Sequence, residues 1–191
     1  LGLEELKGKT LMNSKIHLNN ADLKYWINEF PILEKFESES ENVQIPMRKS
    51  ISQKCFWNKA ALEVYLHKNS SNYALLGMEY EPNESGVLRI EIQYIVDNEM
   101  HYESALTKFN NYKYLGLPEE CTDIILETIK SNKNISSGIL KIPIAANCEV
   151  GSSPLFYSKV TNLLLELICN QKEDTNFDLL IEELYIKYLL N

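Results

Sequence analysis

Residues 87–96 read Val-Leu-Arg-Ile-Glu-Ile-Gln-Tyr-Ile-Val. Leu88, Ile90, Ile92 and Tyr94 take every second position, and Arg89, Glu91 and Gln93 fill the places between them. Side chains alternate faces along a strand, so this stretch predicts a strand with one apolar and one polar face. Such a strand belongs in an antiparallel sheet covered on one side. Two earlier stretches read the same way. Ala61–His67 puts Leu62, Val64 and Leu66 on one face, and Tyr73–Glu81 forms a second strand. The polar clusters Asn69-Ser70-Ser71-Asn72 and Pro82-Asn83-Glu84-Ser85-Gly86 supply the turns between them. Met100–Lys108 reads as a fourth strand or a short helix.

Downstream the period becomes helical. Pro118 suits the first turn of a helix, where its missing N–H costs nothing. Glu119, Glu120 and Asp123 then lie at the positive end of the helix dipole. Cys121, Ile124, Ile125, Thr128 and Ile129 form its buried stripe. Ile139–Ala145 is a strand, with Pro143 marking an edge or a bulge. Ser153-Pro154 opens the next helix as N-cap and first residue, with Phe156, Val160, Leu163, Leu164, Leu167 and Ile168 as its apolar stripe. Thr175 caps a last helix, with Asp178 three residues on. Phe177, Leu180, Ile181, Leu184 and Tyr188 face inward there. The two leucine-rich helices suit packing on the sheet or a seam between two copies, and periodicity does not separate these.

Upstream, residues 1–19 read as a lead-in. Asn20 caps a predicted helix over Ala21–Phe36, in which Leu23, Trp26, Ile27 and Phe30 recur at helical spacing. Pro31 kinks it. Residues 37–42, Glu-Ser-Glu-Ser-Glu-Asn, hold no apolar side chain and read as a solvated loop. The expected class is α+β: a mainly antiparallel sheet of four to five strands with helices on one face, an N-terminal helix and two C-terminal helices. Residues 1–42 form the lead-in and first helix, and residues 43–191 a single α+β domain.

This order of elements resembles the fourth domain of elongation factor G. Gly116-Leu117-Pro118-Glu119-Glu120 resembles the Gly-x-Pro-x-Glu opening of that domain's first helix. Val150-Gly151-Ser152-Ser153, followed by Phe156, is similar to the Val-Asp-Ser-Ser segment that opens its second. The likeness spans roughly residues 60–168. It implies a shared fold, an α+β sandwich with a left-handed crossover, and a translation-associated role as one functional alternative. The sequence holds no Gly-x-x-x-x-Gly-Lys-[Ser/Thr] phosphate loop, and His67-Lys68-Asn69-Ser70-Ser71 replaces the family's glycine-rich tip. Translocase activity is not implied.

Charge narrows the functional classes. Asp and Glu number 27 against 19 Lys and Arg, for a net charge of -8, and Arg48 and Arg89 are the only arginines. Phosphate backbones are bound by a surplus of positive charge, so nucleic acid is not the expected partner. No apolar run approaches the ~20 residues of a membrane helix. Cys55, Cys121, Cys148 and Cys169 lack the paired spacing of a zinc site. Reduced thiols suit a cytoplasmic chain.

Chemistry-bearing motifs are sparse. His17, His67 and His101 are far apart in sequence. His101 lies between Glu99 and Glu103, which on a strand would share its face; a histidine stabilised by surface carboxylates is the favoured reading there. Cys148, at a strand end before a helix start, is the best candidate for a Cys/His nucleophilic centre, and an inert buried thiol is favoured over it. No cofactor or metal is called for. The eleven tyrosines are more suggestive. Tyr94, Tyr102, Asn110, Tyr112 and Tyr114 cluster around the third strand and the loop after it, and they are the candidate protein-binding residues, although an aromatic-rich sheet face against the helices is the favoured reading. The expected function is therefore a non-enzymatic, acidic protein-binding module, fitting an immunity or inhibitor protein that covers a basic bacterial toxin. The expected partner is another protein, with a homodimer as a further option.

Overall fold

A computed structural model describes residues 11–34, 37–47, 56–67, 73–95, 100–104, 106 and 113–190. Eight strands form one sheet: β1 (Met12–Leu18), β2 (Ala21–Ile27), β3 (Glu39–Pro46), β4 (Lys59–Leu66), β5 (Tyr73–Pro82), β6 (Val87–Tyr94), β7 (Lys113–Leu115) and β8 (Gly138–Cys148). The order across the sheet is β1-β2-β4-β5-β8-β6-β3, and β7 also pairs with β8. Three helices accompany it: α1 (Thr122–Ser131), α2 (Pro154–Cys169) and α3 (Phe177–Tyr188). The α+β class stands. A sheet of four to five strands with an N-terminal helix does not.

The correction lies in residues 11–46. Ala21, Leu23, Tyr25 and Ile27 recur every second residue and are all buried in the main core, so Ala21–Ile27 is a strand. Leu23, Trp26 and Ile27 also satisfy a helical spacing, which made the sequence ambiguous. Pairing decides between the two periods: β2 is hydrogen-bonded along its whole length to β1 on one side and to β4 on the other. Asn20 caps no helix and sits instead in the two-residue turn between β1 and β2. Residues 39–46 are likewise not a loop. They form edge strand β3, paired with β6 from Glu39↔Tyr94 to Pro46↔Val87. Exposed carboxylates at Glu39 and a proline at Pro46 blunt this edge against further pairing.

β8 is the hub. β5 runs antiparallel on one side of it. On the other side β6 runs parallel from Gly138 to Ile142, and β7 runs antiparallel from Ala146 to Cys148. Pro143 stands where β6 ends and before β7 begins. The register against β5 also shifts there, between Gly77 and Glu79. A residue without an N–H fits a position where the ladder is already interrupted, so Pro143 marks a bulge and not an edge.

The helices cover one face. α2 lies across β4 and β5 and packs on α1 and α3. Its Ser153 Oγ accepts from the Phe156 N–H at 3.2 Å, with Pro154 at the first position. α3 is capped by Asn176, whose Oδ1 accepts from the Leu179 N–H at 3.3 Å. Thr175, the expected cap, donates to the Lys172 carbonyl. The Tyr25 hydroxyl donates to Asp178 at 2.7 Å and ties β2 to α3.

The opposite face is not bare. Trp26, Ala61, Tyr73, Leu75, Ala146 and Cys148 form a second core there, joined by Phe30, Leu33 and Tyr102. Beside it runs a rung of alternating charge, Lys59↔Glu79↔Lys141↔Glu91 across β4, β5, β8 and β6. Opposite charges on neighbouring strands contribute roughly 0.2–1 kcal/mol per pair.

Candidate functional site

The candidate tyrosines do not form one surface. Tyr94 ends β6, and its hydroxyl donates to Glu39 of β3 at 3.0 Å. Tyr102 points into the second core, with its hydroxyl 3.5 Å from Glu63. Tyr114, on β7, stacks on His101 at 5.3 Å between ring centroids. Asn110 and Tyr112 lie outside the described residues. Tyr94 and Tyr114 lie on β6 and β7, which meet different stretches of β8, while Tyr102 turns toward the second core.

Three clusters of polar groups stand out. The first is buried. Glu63 is 0% exposed and Lys113 5% exposed. The Tyr73 hydroxyl donates to Glu63 at 2.8 Å, and the Lys113 ammonium lies 5.2 Å from the Tyr73 ring centre. Burial and the Glu63 charge push the phenols of Tyr73 and Tyr102 above their ordinary range. They stay protonated donors, suited to pinning the covering segment and not to proton transfer near neutrality.

The second cluster is at the end of the β1–β2 hairpin. Asp22 accepts from His17 through one carboxylate oxygen and lies 3.0 Å from His67 through the other. Partial burial pushes the Asp22 carboxyl up, and the bonds from His67 and His17 outweigh it, so its pKa falls below the usual value of 3.8. A carboxyl held low when folded contributes stability above the unfolded value and loses it as pH falls through the folded one. Urea unfolding of the wild type should therefore lose more stability between pH 4 and pH 2 than that of Asp22→Asn. At pH 6 the variant should be about 1–2 kcal/mol less stable. Equal acid sensitivity of the two would contradict this account.

The third is an open cleft of about 360 Å³ where the chain enters α1 and α2. Glu119 and Glu120, in the 3₁₀ turn before α1, and Glu149, after β8, bring three carboxylates to its lining. Gly116 makes the approach to α1 feasible. It holds φ +98°, and a Cβ there would lie 2.6 Å from Ile95. Its N–H donates to the Ala145 carbonyl at 2.7 Å, and its own carbonyl accepts from Asn147 at 3.1 Å. Ser152 staples the other wall by accepting from the Cys148 N–H and donating to the Tyr73 carbonyl, both at 2.8 Å. Val150 and Leu155, the chain neighbours of lining residues Glu149 and Pro154, are 75% and 66% exposed.

Two cysteines line this cleft. The Cys148 thiol donates to the Val150 carbonyl at 3.2 Å, the bond of a neutral thiol. Burial, with Glu120 adding to it, pushes the Cys121 thiol up to about 12. A thiol pushed up in this way is a poor source of thiolate at Cys121. Cys55 and Glu99 lie outside the described residues. Among the described residues no group of His, Cys, Asp and Glu is placed to hold a metal ion, and no helix is long and apolar enough to cross a membrane.

Sequence reasoning singled out Tyr114, Cys148, Glu119 and Glu120 separately and did not join them. Nothing local signals that the end of β8 and the 3₁₀ turn before α1 share one wall. Glu63 was missed because it occupies the polar slot of an alternating strand. Comparison with known families, curated proteins and solved structures finds no match to this chain.

Proposed function

We propose that this protein is a non-enzymatic binding module of the cytoplasm whose cleft between the starts of α1 and α2 takes a basic segment of another protein, as an inhibitor or immunity protein does. The observation that carries this is the trio Glu119, Glu120 and Glu149 beside exposed Val150 and Leu155. Each helix start contributes only roughly +0.5 charge. Three carboxylates therefore leave the cleft about -2, suited to lysine or arginine, while Val150 and Leu155 offer apolar contact. The overall surplus of carboxylates repels phosphate backbones.

The test uses labelled peptides with Lys or Arg alternating with Leu or Phe, measured by fluorescence anisotropy. Binding should weaken as salt is raised from 50 to 300 mM. E119Q/E120Q/E149Q should weaken it about tenfold at low salt, at roughly 0.5 kcal/mol per exposed carboxylate. Salt-independent binding, or equal binding by the variant, would remove the reading.

A second reading has its own support. With β7 as an added strand, β4, β5, β6, α1, β8 and α2 run in an order compatible with the resemblance to the fourth domain of elongation factor G, and β6 lies parallel to β8. Gly116–Pro118 and Ser153 sit at the helix starts where that family has its motifs. A translation-associated role predicts co-sedimentation with ribosomes at low salt. A pellet free of the protein would leave only the likeness of fold.

A further inference from the structure

α3 turns an unusually ordered stripe to solvent. Leu179, Glu182, Glu183, Ile186, Lys187 and Leu190 are all exposed, while Ile181, Leu184, Tyr185 and Leu189 are buried against the domain. The exposed positions follow the spacing i, i+3, i+4, i+7, i+8, i+11, which is one helix face continuing just past the last turn. Leu179, Ile186 and Leu190 are 58%, 50% and 52% exposed. Three large apolar side chains on one helix face are more than the scattered exposure of an ordinary surface. A groove flanks each side of this ridge. One runs along the end of α2 and holds Leu179 and Glu183 in its wall, and the other borders the β1–β2 turn and holds Glu182, Ile186 and Leu190.

The stripe is self-complementary about the midpoint between Leu184 and Tyr185. Reversed on itself, Leu179 meets Leu190, Glu182 meets Lys187 and Glu183 meets Ile186. A parallel pairing would instead set Glu182 and Glu183 against their own copies. Lys187 is held ready on this face: Glu166 of α2 binds its ammonium at 2.6 Å, while 54% of its side chain remains exposed. We infer that α3 is the seam of a symmetric homodimer, in which two copies cross antiparallel and each Glu182 pairs with Lys187 of the second copy. A two-fold axis repeats each contact, so the antiparallel register supplies two Leu179–Leu190 contacts and two Glu182–Lys187 pairs, with Ile186 against the stem of Glu183. The occupant is a second copy of this chain. The seam lies away from the acidic cleft and does not depend on what that cleft binds.

One short helix per copy makes an interface below the usual size of a tight dimer, so the expected dissociation constant is on the order of 100 µM. Sedimentation equilibrium from 10 to 500 µM in 50 mM salt should show the mass rising toward that of two chains. I186D should remain a monomer while keeping the wild-type circular dichroism, because half of Ile186 is exposed to solvent. E182K and K187E, each alone, place like charges across the seam twice and should weaken association at least tenfold. An equimolar mixture of the two restores both opposite-charge pairs and should form a heterodimer about as well as the wild type pairs with itself. A monomeric wild type, an I186D that still dimerises, or a mixture that stays monomeric would each overturn the inference.

Discussion

Glu63→Ala should destabilise the protein by about 3–5 kcal/mol, the usual result of breaking a buried charged cluster by removing one member. Glu63 has no solvent exposure, and Lys113 has almost none. The Tyr73 hydroxyl donates to Glu63 at 2.8 Å, and the Tyr102 hydroxyl lies 3.5 Å from it. Without the carboxylate, the Tyr73 and Tyr102 hydroxyls stay buried with that acceptor gone. In a chain of this size that corresponds to a fall of about 8–15 °C in thermal midpoint. Glu63→Gln keeps a carbonyl acceptor and should lose less than half as much. A double-mutant cycle with Tyr73→Phe should show a coupling of about 1–3 kcal/mol. If Glu63→Ala unfolds in urea within 1 kcal/mol of the wild type, the cluster is not what pins residues 100–104 to the sheet.

Trp57→Ala should cost a similar amount, about 3–5 kcal/mol, for a different reason. The indole is buried, and its ring meets Phe177 edge-on at 4.9 Å between centroids. Its Nε1–H donates at 3.2 Å to the Leu167 carbonyl, near the end of α2, where helix carbonyls lack intrahelical partners. Gln171 completes the clasp. Its amide oxygen accepts from the N–H groups of Phe56 and Trp57, and its amide nitrogen donates to the carbonyls of Trp57 and Ile168. Trp57 and Gln171 together tie the start of β4 to the end of α2, and Trp57 also meets the start of α3 through Phe177. Trp57→Phe should recover most of the packing but not the hydrogen bond, leaving a deficit of about 1–2 kcal/mol. Because α3 carries the self-association stripe, Trp57→Ala should also weaken dimerisation in folded protein, while Trp57→Phe should leave it unchanged. A Trp57→Ala protein as stable as the wild type would show that the clasp contributes little.

Much of the domain from β4 onward was legible in the residues themselves. The alternation of 88–94 survives in β6, 62–66 lies in strand β4 though buried on both faces, and Ser153-Pro154 caps α2 as its chemistry requires. These features depend on near neighbours, on side-chain period and on which backbone groups a cap satisfies. Residues 11–46 were not legible in the same way. Ala21–Ile27 fits two periods at once, and Glu39–Glu41 has no apolar residue to announce a strand. Only the pairings β2 with β4 and β3 with β6 decide them, each joining segments far apart in sequence.

The candidate site divides along the same line. Composition alone made the protein acidic and poor in arginine. It did not say where the carboxylates gather. β8 brings Glu149 beside Glu119 and Glu120, while cover on the second face turns Glu63 from an apparent surface residue into a buried one. Near-neighbour chemistry determined the turn at 82–86, the Ser153 cap and the positions of the helices after residue 118. Long-range pairing decided how many strands the sheet has, and burial decided which charges are sealed and which are open to a partner. The physical reason is that a strand's hydrogen bonds and a side chain's desolvation both depend on what lies across from it, and only the folded chain supplies that neighbour.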